Sequence, residues 1–473
     1  MSIRRLTVIP LLLCLGLGIL AFKDMQRPVH AASPNLAWYP YLQQLTPTSV
    51  VVLWTTTTTG TPEVRYSTGA SQAVAVAGSS RPLAALGTQL HRVALTGLQP
   101  NTRYTYQVFT GGEELLPGQM LTFSTAPNSG STAAFTFLAF GDFGFGADSQ
   151  IRLRNQMARD VFSFILTTGD NAYPDATYAQ FDANVFRVYR ELFSGAAFFP
   201  ALGNHDVRTA GGAPYLDLFE LPTNALRAAD RERYYSFDYG NVHFVALDSN
   251  APLDATDSAA SDDMFDWLRQ DLGRTTQRWT IAVLHHAPYA TGSDHGSDPR
   301  VQARLVPIFE SYGVDLVLAG HDHLYQRTRP LRGGLVTTTE QGGIVYVVSG
   351  AGKAASDACT SAEWLAVAFC SRPDGLYSRV TVDGERLSVE AVNERGEVED
   401  RLVLAQSTAT PTATATRTPT ATRTRTPTPV PPGTLIFTTT ADARVHENAP
   451  AANYGTSTIL TVDGGSDPDR ESN

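Results

Sequence analysis

The sequence predicts two folded parts, an all-β sandwich over residues 36–126 and a layered α/β domain over residues 134–404. In the first part, segments such as SVVVLWTTTT (49–58) alternate in the manner of half-buried antiparallel strands. In the second part, apolar strands alternate with amphipathic helical segments, which is the pattern of a layered α/β fold. A Thr- and Pro-rich linker over residues 406–432 separates these parts from a short C-terminal segment.

The N-terminus has the layout of a secretory signal. Arg4 and Arg5 precede an apolar run over residues 6–22, and VHAAS offers small residues for cleavage after Ala31. The sequence therefore predicts a signal peptide over residues 1–31, a secreted or cell-surface location, and no stable membrane span once the signal is removed. An uncleaved anchor is the alternative, because the apolar run only just approaches the length that spans a bilayer.

Charge and cysteine usage narrow the function further. The 473 residues carry a formal net charge of −10, which argues against a nucleic acid partner because phosphate backbones are bound by basic faces.

Cys359 and Cys370 are the cysteines outside the signal segment. In an oxidising compartment so close a pair is expected to form a disulfide, with two unpaired cysteines as the alternative.

The α/β part is predicted from the order of its segments. The predicted strands are AFTFLAFGD (134–142), FSFILTTGD (162–170), AFFPALGNHD (197–206), HFVALDS (243–249), WTIAVLHHAP (279–288) and VDLVLAGHDH (314–323). The predicted helices are SQIRLRNQMARD (149–160), TYAQFDANVFRVYRELF (177–193), SDDMFDWLRQDL (261–272) and PRVQARLVPIFESYG (299–313). Further antiparallel strands are expected near 334–350 and 376–404.

Nearly every predicted strand of this part ends on side chains that can bind a metal. These residues are Asp142, Asp170, Tyr173, Asn204, His205, His285, His286, His321 and His323. The carboxyl ends of strands in α/β sheets converge on one crevice, so we expect a shared site. Oxygen and imidazole ligands without thiolate exclude a structural zinc finger, and their number exceeds what one ion needs. A pair of ions that clamps a phosphoryl group fits better.

Other polar residues have a plainer interpretation. His91 is expected on an edge strand and His243 in the core, and Asp175 and Asp248 are expected in turns or beside the ligands. For Tyr325 and Arg327 the sequence leaves two alternatives, lining the pocket or packing beneath it.

The motifs themselves resemble a known family. GD-x-G, GD-x-x-Y, GNHD, V-x-x-H and GH-x-H, within residues 141–323, resemble the calcineurin-like metallophosphoesterases and specifically the purple acid phosphatases. The resemblance implies a calcineurin-like layered β-sandwich flanked by helices. Trp54 and LQPNTRYTY (98–106) make the preceding part similar to a fibronectin type III sandwich with its tyrosine corner. Asp206 departs from the plant-type enzymes, which have glutamate there.

The resemblance also implies roles for individual residues. One ion would be held by Asp142, Tyr173 and His323. The second would be held by Asn204, His286 and His321, and Asp170 would bridge both ions. His205 and His295 would face the phosphate, to stabilise its oxygens or protonate the leaving group. His285 is expected beside the ligands, because the V-x-x-H spacing selects His286.

The Tyr173 side chain predicts the identity of one of the two metal ions. Tyrosine has a pKa of about 10 and binds a metal well only when a strongly acidic cation takes its proton. Tyr173 therefore predicts one Fe³⁺ beside a divalent zinc, manganese or iron ion, with packing over the site as the alternative.

These observations predict a secreted acid phosphatase that hydrolyses phosphate monoesters by attack of a metal-bound hydroxide. One alternative is a manganese-type phosphodiesterase or nucleotidase of the same superfamily. Another is a wall-binding protein with an inactive phosphoesterase domain. Residues 434–473 motivate the latter, because they resemble the truncated start of a β-type, carbohydrate-binding module that would contact polysaccharide or cell wall.

Overall fold

The computed structural model describes residues 31–405, except Ala70 and residues 251–257 and the side chains of residues 258–261. The predicted signal peptide, except Ala31, and the linker and C-terminal module lie outside these residues. The described residues all belong to one unit of the chain, Met1–Thr408. Within them, no helix combines the length and the apolar character needed to cross a bilayer.

The first part is the predicted β-sandwich. Its strands are β1 (Leu36–Gln43), β2 (Ser49–Thr56), β3 (Pro62–Ser67), β4 (Val74–Ala77), β5 (Ser79–Leu83), β6 (Thr88–Thr96), β7 (Arg103–Thr110), β8 (Glu113–Glu114) and β9 (Leu121–Ser124). One sheet has the order β1-β2-β6-β5 and the other β4-β3-β7-β8, with β9 also paired to β7. The backbone N–H of Gln99 donates to the Tyr104 hydroxyl at 2.8 Å, which forms the expected tyrosine corner.

The second part contains the remaining strands. They are β10 (Phe135–Phe140), β11 (Phe164–Thr167), β12 (Ala197–Pro200), β13 (Tyr235–Tyr239), β14 (Val242–Ala246), β15 (Trp279–Val283), β16 (Leu316–Ala319), β17 (Tyr325–Thr328), β18 (Leu331–Arg332), β19 (Leu335–Val336), β20 (Val345–Ser349), β21 (Leu365–Phe369), β22 (Leu376–Asp383), β23 (Arg386–Asn393) and β24 (Val398–Ala405). The sequence analysis did not predict β13, β17 or β21, although β13 (YSFDY) alternates and β21 (LAVAF) is wholly apolar.

The helices agree with the predicted segments, and one short helix was not predicted. They are α1 (Asp148–Met157), α2 (Tyr178–Phe181), α3 (Arg187–Phe193), α4 (Ala213–Leu218), α5 (Ser258–Leu272) and α6 (Pro299–Tyr312). A π-helical turn, Asp182–Phe186, joins α2 to α3, so the predicted helix over 177–193 is nearly continuous. Helix α6 shows why its bounds were readable, because the Asp298 side chain accepts from the first amides and Gly313 ends the helix at φ 68°.

Two sheets stack face to face in this part, as the layered prediction requires. One contains β24-β23-β22-β10-β11-β12, and the other has the order β13-β14-β15-β16-β20-β17-β21. Aromatic rings fill the space between them: Phe199 stacks on Phe237 at 4.1 Å between centroids, and Phe137 meets Phe244 edge-on at 5.3 Å. Helices α5 and α6 share a second apolar cluster with residues of β14, β15 and β16. This confirms the predicted layered β-sandwich flanked by helices.

The sandwich and the α/β part share one continuous sheet. Strand β1 pairs in parallel with β12, with Leu42 opposite Ala197, so the first sheet runs on through β1-β2-β6-β5. Side chains reinforce this junction: the Trp38 indole N–H donates to Asp182 at 2.6 Å, and the Gln43 amide donates to the Phe198 carbonyl at 2.6 Å. One apolar cluster contains buried residues of both parts, and it is separate from the cluster around α5 and α6.

The structure also answers the sequence-based questions about the cysteine pair and about Tyr325 and Arg327. Cys359 and Cys370 form the predicted disulfide, which closes a loop that contains β21. Arg327 makes a bidentate pair with Asp400 at 2.7 and 2.9 Å, and the Tyr325 hydroxyl donates to the same carboxylate at 3.0 Å. Of the two alternatives for this pair, packing beneath the site is therefore correct.

His243 is a core histidine, as expected, and it is charged. Its Nδ1 lies 2.8 Å from Asp238 Oδ1 on β13, and its Nε2 lies 2.9 Å from Asp271 Oδ2 on α5. Burial alone would lower the pKa of His243, but the two carboxylates outweigh burial and raise the pKa to about 9. The imidazolium of His243 on β14 thus links strand β13 to helix α5, which packs against the second sheet.

This arrangement predicts a pH-dependent loss of stability in mildly alkaline solution. The stabilisation is complete below the unfolded-state pKa of about 6.5 and is lost as pH rises through the folded-state value. Between those limits His243 should contribute a fall of at most about 1.4 kcal/mol per pH unit in the free energy of unfolding. Urea titrations from pH 6 to 9.5 should show a shallower pH dependence for His243→Gln than for wild type. Equal slopes would show that His243 is neutral in the folded protein.

Candidate metal centre

The parallel strands of both sheets place their following residues at one edge. Asp142 follows β10, Asp170 follows β11, and Asn204 and His205 follow β12. From the facing sheet, His285 and His286 follow β15, and His321 and His323 follow β16. Strands β10 and β11 pair in parallel with Phe140 opposite Thr167, so their next residues emerge side by side. The structure brings all these residues into one cluster.

Two buried carboxylates and a phenol occupy one side of the cluster. The Tyr173 hydroxyl lies 3.0 Å from Asp142 Oδ1 and 2.7 Å from Asp170 Oδ2, and Tyr173 is itself 4% exposed. The same oxygen lies 3.2 Å from His323 Nε2. These are the residues that the resemblance assigns to one ion together with the bridging carboxylate.

Histidines and an amide occupy the other side. His285 Nε2 lies 2.9 Å from Asn204 Oδ1, 3.1 Å from His321 Nδ1 and 3.5 Å from Asp170 Oδ1. The rings of His286 and His321 are 4.5 Å apart, and His286 Nδ1 lies 2.8 Å from the Ser249 hydroxyl.

His285 has a more central position than the sequence suggested. One potential ligand atom from each of Asp142, Asp170 and His285 lies within 4.8 Å of the others, and His285 is fully buried. Consecutive histidines at a strand end cannot be separated by motif spacing alone, so only the fold could add His285 as a candidate ligand.

His205 and His295 lie on the more accessible side. The His205 backbone N–H donates to Asp170 Oδ1 at 2.8 Å, and its ring Nδ1 lies 2.5 Å from the Pro174 carbonyl oxygen. The His295 ring stacks on His321 with 3.8 Å between centroids. His295 is exposed and His205 half-buried, so both side chains border the cluster where a substrate could enter.

The backbone around the candidate ligands is tightly constrained. Asp142, Asp170 and His321 have φ values of 57°, 51° and 75°, in the left-handed region that side chains with a Cβ rarely adopt. Such strain is typical of functional sites, where the surrounding structure holds it. A Cβ on Gly203 would lie 2.1 Å from Asp170 Oδ1, and one on Gly320 would lie 2.6 Å from Asp142 Oδ2. The glycines of the motifs are therefore needed for close approach.

Asp206, which the sequence marked only as a departure from the plant-type motif, and Asn171, which it did not mark, join the loops after β11 and β12. Asp206 is fully buried and accepts from the Gly203 N–H at 2.8 Å and from the Asn171 side-chain amide at 2.8 Å. Asn171 also accepts from the Thr167 hydroxyl at 2.6 Å. Burial raises the pKa of Asp206 to about 7, and the nearby Asp170 acts in the same direction.

Electrostatics differs among the imidazoles. Burial would lower the pKa of His285, but Asp170 and Asp142 outweigh burial and raise that pKa to about 9. Burial lowers the pKa of His286 to about 3 and lowers the pKa of His321 strongly, so both rings are neutral, the form that binds metals. Burial raises the pKa of Asp142 well above its usual range. For Asp170, burial is outweighed by His285, and the pKa lies below its ordinary value.

The donor set fits metal cations. Asp142 and Asp170 are each 1% exposed, and among the described residues neither pairs with an arginine or lysine. Two carboxylates buried so closely need compensating positive charge, since burying an unpaired charge is costly. The surrounding donors are imidazoles, an amide and a phenol, which suit borderline and hard cations.

Comparisons with known proteins agree with the fold and the site. Residues 135–325 match the family described as calcineurin-like phosphoesterase, and residues 38–126 match the purple acid phosphatase N-terminal domain. Purple acid phosphatase 21 of Arabidopsis thaliana is 28% identical over 252 residues, which cover 51% of this chain and 54% of that protein. The uncharacterized protein Rv2577 of Mycobacterium tuberculosis is 28% identical over 331 residues, 62% of each chain.

Solved structures give the same fold. Purple acid phosphatase PPD1 from yellow lupin seeds superposes with a TM-score of 0.67 at 20% identity, covering 78% of this chain and 74% of that one. The structure of PhoD gives a TM-score of 0.58 at 13% identity and covers 80% and 92%. The matched region spans only 54% to 62% of the length of the two sequence relatives above. The chain thus carries, in this order, the purple acid phosphatase N-terminal domain and the calcineurin-like phosphoesterase domain.

Proposed function

We propose that this protein is an acid phosphatase that hydrolyses phosphate monoesters at a centre of two metal ions. The family and the fold already identify a metal-dependent phosphoesterase. The observation that carries the proposal is the pair of buried carboxylates, Asp142 and Asp170, which lie among imidazoles and contact one phenol. The phenol favours the purple acid phosphatase chemistry over the manganese-type alternative.

Individual side chains have separate tasks in this proposal. Asp142, Tyr173 and His323 would hold one ion. Asn204, His321 and a histidine after β15 would hold the second, and Asp170 would contribute its carboxylate to both. The cations, when bound, would supply Lewis acidity that activates water and neutralises charge developing on the phosphoryl group. The exposed His295 and half-buried His205 bind the phosphoryl oxygens, and one of them gives its proton to the departing alkoxide oxygen.

Export of the enzyme is part of the proposal. The predicted signal peptide and the Cys359–Cys370 disulfide support an oxidising, extracytoplasmic location. Contact with polysaccharide through residues 434–473 is proposed from sequence alone, since those residues lie outside the described part of the chain.

Substrate class is tested with two chromogenic esters. Metal-loaded protein is assayed with p-nitrophenyl phosphate and with bis(p-nitrophenyl) phosphate between pH 4 and 8. The proposal expects a kcat/KM for the monoester at least about tenfold above that for the diester. A preference for the diester would replace it with the phosphodiesterase alternative, and no turnover of either ester would favour an inactive phosphoesterase domain.

Tyr173→Phe tests the ferric assignment. Charge transfer from phenolate to Fe³⁺ should give iron-loaded wild type a visible absorption band, which the variant should lose. Phe145 stacks on the Tyr173 ring at 3.7 Å, so phenylalanine should keep the ring in place. Circular dichroism checks the fold of the variant. A colourless, fully active wild type that contains only manganese or zinc would contradict the assignment.

The histidine that follows β15 in the ligand set is identified by metal content. His286 is the motif position, whereas His285 is the residue in contact with Asp170 and Asn204. We expect His286→Ala to bind the second ion about tenfold to a hundredfold more weakly, and His285→Ala to show at least as large a loss if it is also a ligand. Metal analysis after dialysis against graded chelator separates these cases. A His286→Ala variant with wild-type metal content would assign the ligand to His285.

A further inference from the structure

Lys353 lies in the loop that follows β20 and borders the candidate metal centre. In this loop the Gly352 N–H donates to the Gly141 carbonyl at 3.0 Å, directly before Asp142. A Cβ on Gly350 would lie 2.9 Å from Asp142 Oδ2. The loop is thus in direct contact with the segment that carries a candidate ligand, and Lys353 is half-buried on it.

Two aromatic rings connect Lys353 to the carboxylates. Its Nζ lies 3.8 Å from the centroid of the Phe145 ring, a cation–π geometry. The Phe145 ring stacks on Tyr173 with 3.7 Å between centroids and 18° between planes. The ammonium and the phenol cannot share one face of Phe145 at these distances, so they lie on opposite faces. Tyr173 in turn reaches both buried carboxylates.

Apart from its contact with the Phe145 ring, the Lys353 ammonium has no carboxylate partner among the described residues. Most arginines of this region, by contrast, are paired with acidic groups. Lysine is also rare in this chain, with Lys23 as the other example. A compact ammonium held against an aromatic ring, without an anion, beside a phosphate site is well placed to bind an anion from solution.

We propose that Lys353, held on Phe145, binds a second negative charge on the leaving group of the substrate. The preferred substrates would then be phosphate monoesters whose leaving group carries a carboxylate or a further phosphate. This inference rests on the proposed phosphatase function and adds its substrate class. The reacting phosphoryl group would lie on the cluster, and its anionic leaving group would extend past Phe145 towards the loop after β20.

The test compares substrates that differ in this charge. Glycerol 3-phosphate and 3-phosphoglycerate have similar three-carbon leaving groups, and the second adds a carboxylate; 1,3-propanediol bisphosphate adds a second phosphate to a three-carbon leaving group instead. Wild type should show a kcat/KM about tenfold or more higher for 3-phosphoglycerate or 1,3-propanediol bisphosphate than for glycerol 3-phosphate. The preference should shrink in high salt, since a partly exposed ion pair is screened.

Variants then assign the preference to Lys353. Lys353→Gln should reduce the ratio of kcat/KM for 3-phosphoglycerate to kcat/KM for glycerol 3-phosphate to near one, mainly through KM. Lys353→Arg should restore most of this ratio. The matched control is Arg208→Gln, which removes another cation near the cluster, one that already contacts Asp175 and the Pro174 carbonyl. This control should leave the ratio unchanged.

The other possible results contradict either the role of Lys353 or the phosphatase function itself. Turnover of all three substrates without preference, or a preference that survives Lys353→Gln, overturns the inference and leaves the phosphatase function intact. An equal loss on every substrate in Lys353→Gln also overturns it, because Lys353 would then contact the reacting phosphoryl group. Absence of turnover on these esters and on p-nitrophenyl phosphate removes the proposed function and this inference together.

Discussion

Asp170→Asn is expected to remove most of the bound metal and nearly all turnover. Asp170 is the carboxylate in contact with both halves of the cluster, through Tyr173 at 2.7 Å and His285 at 3.5 Å. Loss of its charge leaves cations that no longer have a compensating partner, a cost of about 3–5 kcal/mol for a buried pair. This corresponds to metal binding weaker by about 150-fold to 4,000-fold. Metal content after gel filtration, measured per chain, is the readout.

His205→Ala provides the matched comparison for this variant. It removes a ring on the accessible side but keeps the backbone N–H that donates to Asp170. We expect wild-type metal content and a turnover lower by about 10²–10⁴-fold if His205 acts as an acid. If both variants lose metal equally, the division between bridging ligand and phosphate-facing group is incorrect.

Gly203→Ala is expected to disrupt the metal centre without changing any candidate ligand. The added Cβ would lie 2.1 Å from Asp170 Oδ1 and 2.2 Å from the Asp170 backbone nitrogen, so a side-chain rotation cannot relieve the overlap. The loops after β11 and β12 must separate, which also strains the Gly203–Asp206 hydrogen bond. Overpacking of this kind costs about 1–3 kcal/mol. We expect a lower urea midpoint and at least about tenfold weaker metal binding.

Gly195→Ala serves as the control for this substitution. A Cβ on Gly195 would meet its nearest neighbour, the Thr122 carbonyl oxygen, at 3.7 Å, an ordinary contact. It should retain wild-type metal content and stability within about 0.5 kcal/mol. Full metal binding by Gly203→Ala would show that the two loops are less tightly packed than the distances indicate.

The sequence predicted the elements that a local pattern defines. Apolar runs that end on Asp142, Asp170 or His321 predict both a buried strand and a polar group at its carboxyl end. The same segments therefore predicted the fold and the clustering of these side chains. The mutual position of His285 and His286 did not follow, because it depends on the direction in which the chain leaves β15. Long-range pairing was equally invisible, as with Leu42 and Ala197, which lie far apart in sequence.

Supporting contacts were the hardest to foresee. Asn171 looks like an ordinary turn residue in sequence, and Asp206 looks only like a variation of a motif. The folded chain shows that each satisfies groups of the other's loop. For Tyr325 and Arg327 the motif position was compatible with two roles until β24 supplied Asp400 as a partner.

The pairing of β1 with β12 also has a consequence for solubility. Strand β12 is entirely buried, and without β1 one side of its backbone would present unpaired N–H and C=O groups in an apolar setting. Open strands of this kind recruit other chains and promote aggregation. The N-terminal sandwich therefore covers the edge strand β12 of the α/β part. A protein shortened to residues 134–404 would retain every candidate ligand, but its exposed strand edge would promote aggregation.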